Sequence, residues 1–529
     1  MDSFQALAGE LARARAEYYR NAEREMIDLV VAVARTVIGL EAERAPELVR
    51  KVILKAVEQL RSREQLIIRV NTDDLAEAQK AVPQLTRMVE DIERVSFRGD
   101  PSVTRGGCMV ETNIGMIDAR IETQLEAIRE NLVGGACEIQ PSGGGAPIAA
   151  EVVGFSENRV IMMPLGEARG VSPGCHIMAR RQAAGVRVGP ELLGRVLNGL
   201  GDPIDGRGPL LCHEERPLYA DPINPFLRRR IAQPMDLGVR AINGLLTVGR
   251  GQRLGILSGT GVGKSVLLGM IAKFTAAEVN VIGLIGERGR EVKEFIDDNL
   301  GPEGMRRSVV VAATSDAPPL VRMRGAFAAT AIAEYFRDQG KSVLLMMDSL
   351  TRFSMAQREI GLSVGEPPAT KGYTPSVFAA LPRLLERAGT CAGEGSITGL
   401  YTVLIEGDDI SEPISDATRA ILDGHVILSR RLASLGHYPA VDLLGSISRS
   451  MIDVVNPEQL DLATRFKELY ATYREAEDLI NIGAYVAGSN KRIDRAIEKV
   501  GAMNEYLRQK IGQQATLAQS VEGLRKVLA

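Results

Sequence analysis

Apolar residues in the first quarter of the chain follow helical and then strand periods. The first 40 residues begin as a charged helix and become amphipathic, with apolar residues at helical spacing at Ile27, Val30, Val31, Ala34, Val37 and Ile38. A second helix is predicted after Pro46 and a strand over QLIIRV at 65–70, after which Thr72 is expected to cap another helix. Residues 106–128, GGCMVETNIGMIDARIETQLEAI, predict a hairpin followed by a helix. The pattern therefore indicates a separate helical, then α+β, module over 1–132.

The next part of the chain alternates over shorter distances. The segment VGGACEIQPSGGGAPI at 133–148 is glycine-rich and predicts a loop or linker at a domain boundary. Four short alternating segments lie within 149–200 and are separated by turn residues: AAEVVGF, RVIMMPL, CHIMARR and ELLGRVLNGL. Such spacing is typical of a small β-barrel, for which we expect the boundaries 133–215.

Longer apolar runs alternate with helical segments from about 235 to 430. The runs are RLGILS, VNVIGLIG, RSVVVAAT, KSVLLMMD and ITGLYTVLIEGD. Near-continuous apolar strands favour a parallel sheet covered by helices on both faces. Beyond residue 451 the chain becomes helical and polar. These changes predict an α/β domain over 216–450 and a helical domain over 451–529.

Composition narrows the possible partners and surroundings of the protein. At 529 residues the chain is too long for one domain, and its net charge of −3 provides no electrostatic footprint for nucleic acid or anionic lipid. The N-terminus lacks the pattern of a signal peptide, and no run of about 18 apolar residues exists, which leaves peripheral membrane attachment open. Five scattered cysteines and four dispersed histidines fit a reducing cytosol and ordinary packing better than a metal site.

The segment GILSGTGVGKSVLLGM at 255–270 predicts a strand, a glycine-rich turn and the start of a helix. The glycines allow successive N–H groups to point at phosphate oxygens, and the helix N-terminus adds its dipole. Lys264 is expected to reach the β- and γ-phosphates, and Ser265 to bind Mg²⁺. Ser258 occupies the position of the first motif glycine and should be tolerated if that position does not need a positive φ. The predicted phosphate-binding residues are Gly259, Thr260, Gly261, Val262, Gly263, Lys264 and Ser265.

Two carboxylates follow other strands of the predicted sheet. Asp348 ends KSVLLMMD, where a Walker B acid would hold the Mg²⁺ shell, and Glu287 follows VNVIGLIG, where a carboxylate can polarise the attacking water. Taken alone, Asp348 could be an acid that ends any strand, and Glu287 is equally well explained as a solvated loop charge. Together with the phosphate loop, they favour an enzyme that hydrolyses ATP over a passive nucleotide binder.

These segments carry a resemblance to a known family. SGTGVGKS, GERGREV, MMDSLTRF and YPAVDLLGSISRSM, in this order, resemble the catalytic subunits of the F- and V-type rotary ATPases. Over about residues 137–505, segments such as REIGLSVGEPPATKGYTPSVFAALPRLLERAG are similar to the type III protein-export ATPases, and DLINIGAYVAGSNKRIDRAI favours the flagellar branch over the injectisome branch. The resemblance implies an α/β fold with a RecA-like P-loop core, a truncated N-terminal β-barrel and a helical C-terminal domain. It also implies Mg²⁺-dependent ATP hydrolysis by a homohexamer.

The resemblance assigns further site residues by position. It matches Glu287 to the catalytic glutamate, Arg288 to a residue near the γ-phosphate and Arg352 to another arginine of that site. Tyr438 matches the tyrosine that stacks on adenine, and Arg449 matches the arginine finger that enters the neighbouring subunit's site. The family also uses serine at the position of Ser258. Because the finger acts in trans, we expect activity to rise with protein concentration.

Residues 1–132 carry a second resemblance. DPSVTRGGCMVETNIGMIDARIETQLEAI at 100–128 is similar to the C-terminal domain of the export ATPase's own stalk-like regulator. The chain therefore resembles a regulator joined to an ATPase, and the first barrel strand of the family, which precedes CEI, is missing at the join. The implied partners are other copies of the chain, a stator-like regulator, a central stalk protein, an export gate, and export substrates with their chaperones, at the cytoplasmic face of the inner membrane.

Two other functions remain open from the residues alone. The chain could be a binding module with a structural nucleotide, although non-catalytic relatives usually lack the glutamate at the position of Glu287. It could also be a hexameric RNA helicase, which the acidic charge and the lack of a recognisable RNA-binding module disfavour.

Overall fold

The computed structural model describes most of the chain. The described residues are 38, 41, 45, 47–58, 65–82, 85, 94–112, 115–121, 135–141, 146–156, 159–172, 175–405 and 409–529. They belong to two compact units, Met1–Gly135 and Ala136–Ala529. The charged helix predicted before residue 38 and the helix predicted after the 106–120 hairpin lie outside the described residues, apart from Ile38 and Ile121.

The first unit contains a four-stranded sheet with the order β2-β1-β3-β4. Its elements are α1 Leu48–Glu58, β1 Gln65–Val70, a 3₁₀ turn Thr72–Asp74, α2 Leu75–Gln79, β2 Arg94–Gly99, β3 Cys108–Thr112 and β4 Gly115–Ala119. Strand β1 pairs parallel to β2 and antiparallel to β3, and alternate residues of β1 are buried because Leu66, Ile68 and Val70 face the core. The predicted second helix, the strand at 65–70 and the hairpin are confirmed.

The predicted helix cap at Thr72 is wrong by one residue. The side chain of Asn71 accepts a hydrogen bond from the backbone N–H of Asp73 at 2.9 Å, so Asn71 is the cap and Thr72 opens the turn. Asp74, which is 1% exposed, accepts the N–H of Gly106 at 2.7 Å. Asn71 also donates from Nδ2 to the carbonyl of Val103 at 2.8 Å. Both side chains therefore connect the loop before β3 to the start of the helix.

The second unit begins with short strands. They are β5 Gly135–Gln140, β6 Ile148–Ser156, β7 Arg159–Pro164, β8 His176–Ala183, β9 Gly185–Val188, β10 Val196–Asn198, β11 Glu214–Pro217, β12 Pro234–Met235 and β13 Val248–Gly249. Within the described residues β5 to β8 form a sheet with the order β7-β6-β5-β8, and β9 pairs with β11. The prediction that residues 191–200 form another strand of this barrel is wrong. A 3₁₀ turn starts at Pro190, and the three-residue β10 pairs with a strand of the large sheet.

The large sheet of the second unit has nine strands in the described part of the chain, in the order β10-β16-β15-β17-β19-β14-β20-β21, with β18 paired to β19. The remaining strands are β14 Arg253–Ser258, β15 Val279–Ile285, β16 Ser308–Ala313, β17 Ser342–Asp348, β18 Gly389–Thr390, β19 Ser396–Leu404, β20 Gly424–Leu428 and β21 Val441–Ser448. All ladders from β10 to β20 along this order are parallel. The five predicted parallel strands are confirmed, and their carboxyl ends meet at one edge of the sheet.

Helices cover this sheet and form the C-terminal part of the unit. They are α3 Arg240–Leu245, α4 Lys264–Phe274, α5 Gly289–Glu294, α6 Gly301–Arg306, α7 Pro319–Asp338, α8 Leu350–Ser363, α9 Pro375–Leu385, α10 Pro413–Ile421, α11 Arg430–Ser434, α12 Met451–Val454, α13 Pro457–Asn481, α14 Lys491–Leu507 and α15 Leu517–Leu528. Short 3₁₀ turns at Pro225–Leu227 and Thr370–Gly372 and a π-turn at Phe295–Leu300 complete the order. In the described part of the chain, every helix is too short or too polar to cross a bilayer.

A buried ion pair joins the small sheet to helix α7. Arg324 on α7 donates from Nη1 to Oε2 of Glu151 on β6 at 3.3 Å, and their side chains are 8% and 3% exposed. Burial raises the pKa of Glu151, and the Arg324 charge opposes that shift. Removing one partner of such a pair leaves the other charge buried and unpaired, which is strongly destabilising.

Candidate active site

The phosphate loop connects β14 to α4. Ser258, the last residue of β14, is buried between β19 and β20. Gly261 and Gly263 have φ of +79° and +88°, and Gly263 immediately precedes α4. In the described part of the chain Lys371 is the one non-glycine residue with a positive φ, so Ser258 meets the condition under which serine is tolerated there. The loop therefore has the conformation that a phosphate cradle requires.

Three charged side chains from three elements meet beside this loop. The Lys264 ammonium makes a short ion pair with Oδ1 of Asp348 and lies 3.7 Å from Oε1 of Glu287. The three side chains are between 7% and 15% exposed. Asp348 comes from the carboxyl end of β17 and Glu287 from just beyond β15, so the parallel topology accounts for their meeting.

Glu287 lies in an environment that raises its pKa. Burial, the largest cause, and the Asp348 charge raise the pKa of Glu287 to about 7, against the opposing effect of Lys264. Proton transfer is most efficient when the catalytic group has a pKa near the working pH. This environment suits a carboxylate that accepts a proton from water.

Arg352 lies against the backbone that carries Glu287. Gly286 has a φ of +73°, and a Cβ there would lie 2.7 Å from Cβ of Arg352, so only glycine fits the turn. The buried Nε of Arg352 has no hydrogen-bond partner among the described residues, and the side chain lines a cavity of about 300 Å³ together with Thr260 and Arg430. A guanidinium in this position is a donor group of the kind that binds anions.

The other predicted site residues lie at the surface of the unit. Tyr438 is 45% exposed, and its ring lies beside Gly263, where a Cβ would lie 3.3 Å from ring atom Cε1. Arg288 is exposed and lies 3.7 Å from Glu291. Arg449 follows β21, with its backbone N–H bound to the Asp423 carbonyl at 3.0 Å and its side chain exposed. The structure thus brings Lys264, Glu287, Asp348, Arg352 and Tyr438 to one region, whereas Arg288 and Arg449 are open to solvent.

The sequence analysis missed Thr402, which orients Asp348. Thr402 lies on β19 between β17 and β14, is fully buried, and donates from Oγ1 to Oδ1 of Asp348 at 2.7 Å. A threonine inside an apolar strand carries no motif of its own, and only the neighbouring position of β17 reveals the contact.

Replacing Thr402 with valine should lower ATP turnover by about 10–100-fold, because partners that orient a metal-binding carboxylate typically contribute this much. Valine keeps the shape of threonine and removes the hydroxyl. The measurement is the steady-state ATPase rate as a function of Mg²⁺ concentration. Thr398→Val is the matched control, since Thr398 is equally buried on the same strand and instead accepts the N–H of Gly251 at 2.9 Å. Equal losses in both variants would assign the effect to folding.

Comparison with known proteins decides the family. The chain is 54% identical over 400 residues to the flagellum-specific ATP synthase of Pseudomonas aeruginosa, covering 75% of this chain and 89% of that protein. The chain belongs to the flagellar and type III secretion ATPase family. Residues 238–448 match the model of the ATP synthase alpha/beta family, nucleotide-binding domain, and residues 455–526 match the T3SS EscN ATPase C-terminal domain. The protein is an ATPase that binds nucleotide, and the sequence prediction of the family is confirmed.

Solved structures agree with this family. The assembled ATPase EscN of the enteropathogenic E. coli type III secretion system superposes with a TM-score of 0.72 at 46% identity, over 75% of this chain and 95% of EscN. EscN in complex with its central stalk EscO gives a TM-score of 0.69 at 45% identity, with the same coverage. The predicted fold class is confirmed for this ATPase: an α/β P-loop core with an N-terminal β domain and a helical C-terminal domain.

The N-terminal unit of this ATPase has a separate match. Residues 1–128 match the model of the Flagellar assembly protein FliH. The predicted regulator-like module is therefore confirmed, and one chain carries both the FliH-like module and the ATPase.

Proposed function

We propose that this ATPase works as a homohexameric ring that hydrolyses Mg²⁺-ATP to energise or prime type III protein export, in a flagellar system. The observation that carries the proposal is the cluster of Lys264, Glu287 and Asp348 beside the phosphate loop, in a chain whose relatives are flagellum-specific ATP synthases. An exposed Arg449 at the end of β21 suits a finger for a neighbouring copy.

The residues of the site fit a magnesium ion. In the described part of the chain, no three His, Cys, Asp or Glu side chains are grouped as metal ligands. Mg²⁺ in nucleotide sites needs no such cage, because it takes one or two protein oxygens and completes its shell with phosphates and water. Ser265 at the start of α4 and Asp348 at the end of β17 would supply these oxygens. When bound, the ion would neutralise charge on the phosphates.

The roles proposed for the remaining residues combine their places in the structure with the family resemblance. The N–H groups of Gly259–Lys264 hold the phosphates, and the Lys264 ammonium, which lies beside Asp348, binds the β- and γ-phosphates. Glu287 accepts a proton from the attacking water, Arg352 and Arg288 bind the γ-phosphate, and Tyr438 stacks on adenine. Arg449 of the next copy stabilises charge that develops in the transition state.

The FliH-like module and the partners belong to the same proposal. We infer domains at 1–132, 133–215, 216–450 and 451–529, with the module acting as a built-in stator-like part. EscN binds a central stalk, and we propose a corresponding stalk for this ring, together with an export gate and chaperoned substrates. The ring would work at the cytoplasmic side of the inner membrane as a peripheral component.

Dilution tests the ring requirement. Specific ATPase activity should rise with protein concentration, because a monomer lacks the Arg449 of a neighbour. The measurement is activity across a dilution series, with the mass of the particles determined at each concentration. Constant specific activity in a species of monomer mass would contradict the proposal.

A further inference from the structure

The loop between α14 and α15 binds the segment 435–440, which connects α11 to β21 and carries Tyr438. This segment is called the strap below. Gln509 in this loop is 6% exposed and donates from its backbone N–H to the carbonyl of Tyr438 at 3.0 Å. Tyr438 and Gln509 are far apart in the sequence. Their hydrogen bond therefore connects the C-terminal helices directly to the segment that carries Tyr438.

Both the amide oxygen and the amide nitrogen of the Gln509 side chain make hydrogen bonds. Its Oε1 accepts the N–H of Arg240 at 2.7 Å, and its Nε2 donates to the carbonyls of Gly238 at 2.8 Å and Gln513 at 2.6 Å. Arg240 is the first residue of α3, and Val239 before it provides no side-chain cap. Gln509 therefore caps the N-terminus of α3 from a distant part of the chain. The same hydrogen bonds hold the Gln509 side chain in place.

The Tyr438 residue that the Gln509 N–H anchors at its carbonyl carries its ring beside Gly263 of the phosphate loop. The ring lies beside Gly263, where an added Cβ would come within 3.3 Å of ring atom Cε1, and 45% of the residue is exposed. A second bond, from the N–H of His437 to the Leu432 carbonyl at 3.0 Å, ties the same segment to α11. A stacking platform has to stand at a fixed distance from the phosphates, because the base and the phosphates belong to one ligand.

We propose that Gln509 is a positioning residue for nucleotide binding, which fixes the Tyr438 ring through the Tyr438 carbonyl and gives the C-terminal helical domain a share in recognition of the adenine base. This inference rests on the proposed role of Tyr438 as the adenine platform. In the structure the hydrogen bonds of Gln509 go to Arg240, Gly238, Gln513 and the Tyr438 carbonyl, so its proposed effect on the base runs through Tyr438.

The test compares a ligand that has a base with one that lacks it. In Gln509→Ala the dissociation constant of ADP should rise by about tenfold, as loss of a base–aromatic stack does. The inhibition constant of inorganic tripolyphosphate should stay within about twofold, since its contacts are with Gly259–Lys264. For ATP the loss should appear in KM, with kcat nearly unchanged. Gln513→Ala is the matched control, because its side chain is exposed and alanine keeps the carbonyl that Gln509 uses.

A double-mutant cycle separates positioning from general structure. If Gln509 acts through Tyr438, Gln509→Ala should add little to the loss of ADP affinity in Tyr438→Ala. Additive losses, or equal weakening of ADP and tripolyphosphate, would overturn the proposal. If Tyr438→Ala binds ADP normally, the adenine role itself fails. If Tyr438→Ala binds ADP weakly and Gln509→Ala binds it normally, the adenine role of Tyr438 stands and the positioning role of Gln509 fails.

Gln509→Glu covers the case in which the alanine variant does not fold. A carboxylate can still accept the N–H of Arg240 but cannot donate to Gly238 or Gln513. Because an oxygen would then face the carbonyls of Gly238 and Gln513, the ADP affinity should fall relative to the unsubstituted protein while tripolyphosphate inhibition is unchanged. An equal fall for both ligands would contradict the positioning role.

Discussion

Replacing Glu287 with glutamine should lower ATP turnover by about 10²–10⁴-fold, the range in which a positioned general base contributes. Glutamine keeps the size of the side chain and cannot accept the proton of the attacking water. Nucleotide binding should be retained, because the phosphate loop and Lys264 are unchanged and one negative charge near Asp348 is removed. The measurement is single-turnover hydrolysis together with the dissociation constant of ATP.

Glu294→Gln is the control for Glu287. Glu294 lies on α5, the helix that follows Glu287 in the chain. It makes an exposed ion pair with Arg290 at 2.7 Å. That variant should retain normal turnover, since exposed pairs contribute little. In the native organism, a strain with Glu287→Gln should lose export, whereas Glu294→Gln should not. Unchanged turnover in Glu287→Gln would refute the assignment of the base.

Removing the Arg449 side chain should lower turnover by about 10³–10⁵-fold without loss of assembly, as removal of an arginine finger does in related phosphoryl transfer. The backbone of Arg449 is fixed by Asp423 while its side chain is exposed, so alanine should leave the fold intact. Turnover and particle mass are measured on the same sample. Arg465→Ala is the control, since Arg465 is exposed on α13 and pairs with Asp461 at 3.6 Å. A fully active Arg449→Ala ring would exclude the finger role.

Local rules explain why so much of the core could be predicted. The phosphate loop is contiguous, so its glycines, Lys264 and Ser265 carry their chemistry in one segment, and long apolar strands that alternate with helices favour parallel pairing. Asp348 and Glu287 follow such strands and meet because parallel strands end at one edge. The family resemblance supplied Tyr438 and Arg449, which no local pattern indicates.

The features that were missed depend on distant parts of the chain. Thr402 and Gln509 are polar residues inside otherwise ordinary segments, and their partners lie 54 and 71 positions away. Asn71 and Thr72 are both good cap residues, and only the backbone decides between them. Residues 196–198 alternate like a barrel strand, yet the parallel partner Ser308–Ala313 takes them into the large sheet.

Mixing two inactive variants tests the shared site most directly. Glu287→Gln keeps Arg449, and Arg449→Ala keeps Glu287, so a mixed ring contains interfaces in which both groups are intact. Equal amounts, combined as monomers before assembly, should regain about a quarter of the wild-type activity, because about one interface in four pairs an intact base with an intact finger. If the mixture stays as inactive as the separate variants while mixed rings form, the site is not shared between copies.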